Sequence, residues 1–244
     1  MRSGIGGESV GRGLACNYAF PVLLEFTQTL DAFDGLQMTM FAAPESHEMV
    51  FETTFNPPGS QALMTPQYFG DHARMMKAFR KAMVIVALVG SDPSGSVSRT
   101  GSILFGRAID WKQTSGEMVR IKKALASVAH IAKAAGAVRV LFPMQPVLDL
   151  PLDSEMDRKL RLFDDIINEA KYFRFATPHP QGGNMMAGLA VQERVVDPDY
   201  RARDCSNLFV CDASIFPRGI RVNPQWTIMA LASRAGELIP QLIA

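Results

Sequence analysis

SGEMVRIKKALASVAHIAKAAGAVRVLF, residues 115–142, passes from helix to strand within one continuous reading. Met118, Ile121, Leu125, Val128 and Ala132 recur at three- and four-residue spacing, the mark of a helix with one buried face. Gly136 stands where a helix favours a left-handed residue beyond its last turn. Val138 to Phe142 then form a β-branched, apolar run closed by Pro143, which reads as a strand. Working outward, Met156, Leu160, Phe163, Ile167 and Ala170 mark a helix entered through Asp153-Ser154. Phe69, His72, Met76, Phe79 and Met83 mark another, behind Thr65-Pro66. Strands are expected over 36–42, 48–55, 83–89, 103–109, 172–177 and 208–211, while Pro/Gly clusters at 56–60 and 91–95 punctuate the chain. Helices and strands mix without regular βαβ alternation, so the expected class is α+β with a largely antiparallel sheet flanked by helices.

Composition narrows function by exclusion. With 48% hydrophobic and 20% charged residues, the chain has enough apolar surface to fold around a core. Its 244 residues suit one large domain or two modest ones. Twenty-five Lys+Arg against 24 Asp+Glu, interspersed, leave a formal charge of +1, which argues against a nucleic-acid or membrane-surface partner. Cys16, Cys205 and Cys211 are too few and too unevenly spaced for a disulfide framework, and the four histidines complete no zinc pattern. Free thiols in a reducing compartment, with Cys205 and Cys211 in the core, and no metal, are expected. Met83–Val89, the longest apolar run, falls far short of the roughly 20 residues of a membrane span. No apolar leader follows Met1. The expected location is cytoplasmic.

The chemistry concentrates in three later segments. They are Pro178-His179-Pro180-Gln181-Gly182-Gly183-Asn184, Asn207-Leu208-Phe209-Val210-Cys211-Asp212-Ala213-Ser214-Ile215-Phe216-Pro217, and Val222-Asn223-Pro224-Gln225-Trp226-Thr227-Ile228. His179, on a turn between prolines and glycines, carries a side chain that titrates near neutrality and can take a hydroxyl proton. Asn223 can donate a hydrogen bond to a developing alkoxide. Asn223 and Pro224 also read as N-cap and first residue of a closing helix, with Ile228, Leu231, Ala235, Leu238 and Leu242 on one face. The positive end of that helix would favour a group that becomes anionic on reduction, such as a flavin. Capping alone also explains an Asn before Pro, and an Asx-turn alone also explains Asp212.

The order His-x-x-Gly-Gly, then Asn-Leu-x-Val-x-Asp-Ala-Ser-x-Phe-Pro, then Asn-Pro-x-x-Thr-Ile before an amphipathic helix resembles the C-terminal part of the glucose-methanol-choline (GMC) family of flavin-dependent oxidoreductases. The 44 residues from His179 to Asn223 are similar to the separation of the family's two active-site residues. The resemblance implies that His179 is the active-site histidine and that Asn223 fills the second position, histidine in some members and asparagine in others. It implies that Asp212, Ala213 and Ser214 lie against FAD and that Asn223, Pro224 and Thr227 lie at the flavin ring. At the other end, Ser3-Gly4-Ile5-Gly6 and Val10-Gly11-Arg12-Gly13-Leu14 resemble the family's segments ahead of its substrate domain.

The domains implied are 1–25 as a residual piece of a flavin-binding domain, 26–178 as the substrate domain, and 179–244 as the active-site loops and C-terminal part of the flavin-binding domain. The sequence lacks the strand and Gly-x-Gly-x-x-Gly turn that would cradle the FAD pyrophosphate, so it reads as a C-terminal fragment lacking the dinucleotide-binding region. The resemblance implies oxidation of the CH–OH group of a small-molecule alcohol, with hydride transfer to the flavin and FAD as cofactor. A missing or separate flavin-binding region is the expected partner. The competing reading is a catalytically inactive remnant or binding module. His47, His72 and His130 are expected to be ordinary residues.

Overall fold

The structure, a computed structural model, describes residues 5, 7–36, 38–46, 48–54, 56–65, 69–99, 107–166 and 172–243. The chain separates into two compact units. One comprises residues 1–17, 90–114 and 177–244, the other 18–89 and 115–176. Residues 90–114, inside the span expected for the substrate domain, thus cluster with both chain ends. The class is the mixed, antiparallel one expected: every pairing whose register is described runs antiparallel.

The second unit is organised on a six-stranded sheet. Its strands are β2 (Asn17–Glu25), β3 (Phe41–Ala42), β4 (Met49–Thr54), β5 (Ala82–Gly90), β8 (Arg139–Phe142) and β9 (Leu148–Pro151), in the order β3-β4-β5-β2-β8-β9. The first unit's four-stranded sheet uses β1 (Arg12–Ala15), β6 (Gly95–Arg99), β7 (Arg107–Asp110) and β10 (Gln181–Gly183), in the order β10-β1-β6-β7. The helices are α1 (Pro58–Met64), α2 (Phe69–Lys77), α3 (Ser115–Ala134), α4 (Met156–Ile166) and α5 (Gln225–Ile243).

α3 ends as its sequence requires. Gly136 adopts φ +85°, Gly136 N–H donates to Lys133 O, and Ala137 N–H donates to Ala132 O, which together close the last carbonyls of the helix. Its stripe of Met118, Ile121, Leu125, Val128 and Ala132 is buried. α4 follows Asp153, whose Oδ1 accepts from Glu155 N–H. The remainder of the run expected for it, 167–170, lies outside the described residues.

Elsewhere tertiary context overrides local pattern. The helix expected through Phe79 and Met83 stops at Lys77, because Phe79 stacks on Phe33 and residues 82–90 become β5, buried along nearly their whole length. The Pro57-Pro58-Gly59 cluster opens α1 instead of breaking the chain: proline costs nothing in a first turn, where its missing N–H has no partner to lose. Among the described residues of the strand expected over 36–42, only Phe41–Ala42 pairs, at the sheet edge. Of 103–109, residues 107–109 belong to β7 and 103–106 lie outside the described residues. The 172–177 run makes only single bridges, Met144↔Phe173 and Ala19↔Ala176.

Residues 208–211 likewise form no strand. Ala202 and Val210 N–H donate to Leu208 O and Tyr200 O around a tight loop, leaving one bridge, Arg201↔Phe209. That loop leaves Cys211 exposed and Cys205 half-buried, its Sγ–H donating to Asn207 Oδ1, so neither is the core thiol expected, while Cys16 is buried. β2, central to its sheet, had no sequence signal, because Pro21 within the run reads as a strand breaker. Among the described residues no helix is long and apolar enough to cross a membrane.

Candidate active site

His179 enters the site on the short stretch that leads into β10. Its backbone N–H donates to Thr177 Oγ1 at 3.2 Å. The imidazole is half-buried, and its Nδ1 is buried without a hydrogen-bond partner among the described residues. Loss of hydration therefore disfavours the imidazolium and pulls the pKa below its ordinary 6.5. At neutral pH the ring is uncharged and able to accept a proton.

β10 itself is fixed by backbone geometry that only glycine allows. Gly182 lies at φ +76°, and a Cβ there would sit 2.2 Å from Gly13 O. Gly183 O accepts from Gly11 N–H at 2.6 Å, and Ala15 stands opposite Gln181. The His-x-x-Gly-Gly spacing is thus the spacing of an imidazole from the point where two backbones nearly touch.

Beyond β10, Asn184 reaches the second motif. Its N–H donates to Ser214 O and its Nδ2–H to Ser214 Oγ, both at 2.9 Å. Asp212 caps the 3-10 turn Ala213–Ile215 by accepting from Ser214 N–H at 2.7 Å. Asp212 and Ser214 therefore both have local structural partners, and the Asx-turn reading of Asp212 holds. Ile215 and Phe216, the next two residues, anchor this turn in a core with Val195, Val196, Tyr200 and Ala235.

The third motif leads into α5. The helix begins at Gln225, and Pro224 O accepts the first helical bond from Ile228 N–H at 2.9 Å. Asn223 consequently lies one residue outside the capping position expected for it, and no described hydrogen bond engages its carboxamide. Pro224 is buried, while Gln225, Trp226 and Thr227 are exposed at the amide-rich end of the helix. Ile228, Leu231 and Leu238 pack on the core as expected, but Leu242 is exposed.

Among the described contacts no direct hydrogen bond joins His179 to Asn223. What links their segments is Gln181, whose Oε1 accepts from Ile220 N–H at 2.8 Å. Asn17, the first residue of β2, donates its Nδ2–H to Val222 O at 2.7 Å. Sequence reading quoted Gln181 inside a motif without giving it a role, and Asn17 carried no signal at all. Neither is recognisable until distant segments are paired. The remaining histidines are ordinary where described: His72 Nε2 meets Ala62 O, and His130 lies near Asp157, while His47 is outside the described residues. Ser3, Gly4 and Gly6 are also outside them.

The chain as a whole has similar counterparts among known proteins. Residues 86–232 match the family model described as GMC oxidoreductase. The chain is 30% identical over 239 residues to an uncharacterized GMC-type oxidoreductase of Mycobacterium tuberculosis, spanning 95% of this chain and 36% of that protein. It is 24% identical over 203 residues to a long-chain-alcohol oxidase of Arabidopsis thaliana, spanning 80% of this chain and 26% of that protein. The fold is similar to that of formate oxidase from Aspergillus oryzae, a structure whose description concerns FAD modification, with a TM-score of 0.62 at 13% identity over 95% of this chain and 47% of that one. The chain thus spans between a quarter and about a third of the length of these curated relatives. With the family model matched across most of its length and the motifs held as described, this chain belongs to the GMC oxidoreductase family.

Proposed function

We propose that this chain is the C-terminal portion of an FAD-dependent oxidoreductase that oxidises the CH–OH group of an alcohol, with His179 and Asn223 as its active-site pair. The observation that carries the reading is the desolvated His179, neutral at pH 7 and with Nδ1 unpartnered among the described residues, at the motif position where the resemblance expects a proton acceptor.

The residues present fit the reactive end of the cofactor. His179 Nδ1 is a buried polar atom with no partner among the described residues, and the first turn of α5 presents exposed Gln225, Trp226 and Thr227 at its amide-rich end. On this reading Asn223, Pro224 and Thr227 hold the flavin ring, and Asp212, Ala213 and Ser214 line its approach. When bound, FAD supplies a hydride acceptor. His179 takes the proton of the substrate hydroxyl into its neutral imidazole. Asn223 donates its Nδ2–H to the oxygen as negative charge develops there, a contribution that counts most where water is excluded. The dipole of α5, positive at Gln225, favours negative charge at the same end. The dinucleotide portion of the cofactor would be held by a flavin-binding region, in the same polypeptide or a separate one.

The test is spectroscopic. The purified chain, alone and supplied with a GMC dinucleotide-binding region, is incubated with FAD and freed of excess. A yellow protein whose visible absorbance bleaches anaerobically with an aliphatic alcohol is expected. His179→Ala should retain the colour and slow bleaching by about 10²- to 10⁴-fold. Unchanged bleaching removes His179 from the chemistry, and a chain that stays colourless in both settings supports the inactive-module alternative.

A further inference from the structure

We propose that Gln181 and Asn17 are positioning residues that grip one backbone segment, 220–222, from two points, and so fix Asn223 relative to His179. The part played in catalysis rests on the alcohol-oxidising reading above. The grip itself does not.

The two carboxamides are among the most deeply buried polar side chains of the described residues, Asn17 fully and Gln181 at 1% exposure. They arise on adjacent stretches, since Gln181 stands opposite Ala15 in the β10–β1 pair and Asn17 follows two residues later. Gln181 Oε1 accepts from Ile220 N–H at 2.8 Å, and Asn17 Nδ2–H donates to Val222 O at 2.7 Å. One bond holds the donor end of the segment and the other its acceptor end. Val222 immediately precedes Asn223, and Gln181 follows His179 by two residues. A single side chain therefore ties the two proposed active-site segments together.

Other stretches of the same unit lie close against this segment and the glycine before it. A Cβ on Gly90 would come within 2.7 Å of Arg221 Cγ, and one on Gly219 within 3.1 Å of Ser91 O and 3.2 Å of Ala15 Cβ. Ser91 is itself locked, with Cys16 N–H donating to its Oγ and its own N–H donating to Cys16 O, each at 2.8 Å. A side chain needed only to fill volume here would be leucine or methionine. Instead each position holds a carboxamide that uses one polar atom on the segment and leaves the other, Asn17 Oδ1 or Gln181 Nε2, buried without a partner among the described residues. A half-satisfied buried amide is costly. The backbone group that each holds offsets that cost. Displacing a reacting group by about 1 Å costs on the order of a hundredfold in rate, so the grip bears directly on chemistry.

Amide hydrogen exchange on the full chain, with and without FAD, tests this together with anaerobic flavin reduction by an aliphatic alcohol. Gln181→Met keeps the length and loses the acceptor, while Gln181→Glu keeps an acceptor oxygen. The Met variant is expected to exchange Ile220 N–H at least tenfold faster and to reduce flavin about a hundredfold more slowly at unchanged substrate affinity. The Glu variant restores most of both. Asn17→Leu should mimic the loss at the rate without exposing Ile220 as fully, and decides the matter if Gln181→Met does not fold. Equal behaviour of the Met and Glu variants, or unaltered Ile220 exchange, overturns the proposal. If wild-type chain is never reduced by alcohol, the functional reading fails while the exchange measurement still decides the grip.

Discussion

The unit of residues 18–89 and 115–176 fills its interior with side chains drawn from long elements: Val22 and Leu24 on β2, Val84 and Leu88 on β5, Leu125 and Val128 on α3, Phe142 on β8. The unit of 1–17, 90–114 and 177–244 is built differently. Its strands are short, its core cluster is Val195, Val196, Tyr200, Ile215, Phe216 and Ala235, and within α5 only Ala235 is fully buried. Its distant segments are joined by polar bonds such as Asn17–Val222, Gln181–Ile220 and Asn184–Ser214. Apolar burial spreads stability over many contacts, whereas paired buried polar groups concentrate it in a few atoms. The first unit in chain order should therefore be the one that single substitutions disorganise locally.

The largest effect is expected where burial is deepest. Phe142→Ala in the second unit should cost about 3–5 kcal/mol, read from urea denaturation, because it opens a cavity where a large side chain is fully buried. A loss below about 1 kcal/mol would mean that this core relaxes around the void, and the contrast between units would weaken. Next comes Gly182→Ala in the other unit. The added methyl meets Gly13 O at 2.2 Å and the backbone is left-handed, so about 2–4 kcal/mol is expected from strain and displacement together. The telling feature is locality: exchange protection of the β10–β1 amides, Gly11 N–H first, should fall before that of β4–β5. Uniform loss across both sheets would show the two units to be one cooperative body.

Gly136→Ala separates backbone strain from crowding. This position has the same left-handed φ, but a Cβ there meets nothing within 4 Å. The cost should be about 1 kcal/mol, from conformation alone. The difference between the two glycine variants measures how tightly the site-bearing strand is pressed against its neighbour.

The same contrast explains what could be read from sequence. α3, its terminal glycine and β8 were legible because periodicity and a β-branched run report burial directly, and burial is what the second unit uses. β2 escaped because Pro21 interrupts its run, and α1 because prolines that begin a helix look like prolines that end one. In the other unit the motif residues were legible by kind and spacing, as with His179 and the Gly182-Gly183 pair. Their partners were not: an asparagine at position 17 acquires meaning only when the fold brings it to Val222, 205 residues away. Asn223 shows the limit in the other direction. Its place before Pro224 signals a cap, yet the helix starts at Gln225, which leaves the carboxamide outside that local role.

The smallest effect, acid sensitivity, should also divide between the units. In the second unit the depressed carboxyls are Asp31, held down chiefly by hydrogen bonds from Arg80, and Asp153, chiefly by its bond from Lys159. Both pairs are exposed, so their small stabilisation persists until the pH falls below the ordinary carboxyl value of 3.8 and is lost only as these groups finally protonate. His179 behaves in the opposite sense of charge and in a different window. Burial holds its folded pKa below 6.5, so in the unfolded chain the ring protonates first. Below that pH protons favour unfolding, and the penalty grows until the pH passes the folded value, after which it is constant. Comparing wild type with His179→Gln removes this proton and leaves every other residue in common. Urea midpoints measured from about pH 7 to about pH 5 should therefore shift in favour of the glutamine variant as the pH falls. A difference independent of pH over that range would mean that the imidazole is as well solvated in the folded chain as in the unfolded one, and the neutral proton acceptor on which the proposed chemistry depends would lose its physical basis.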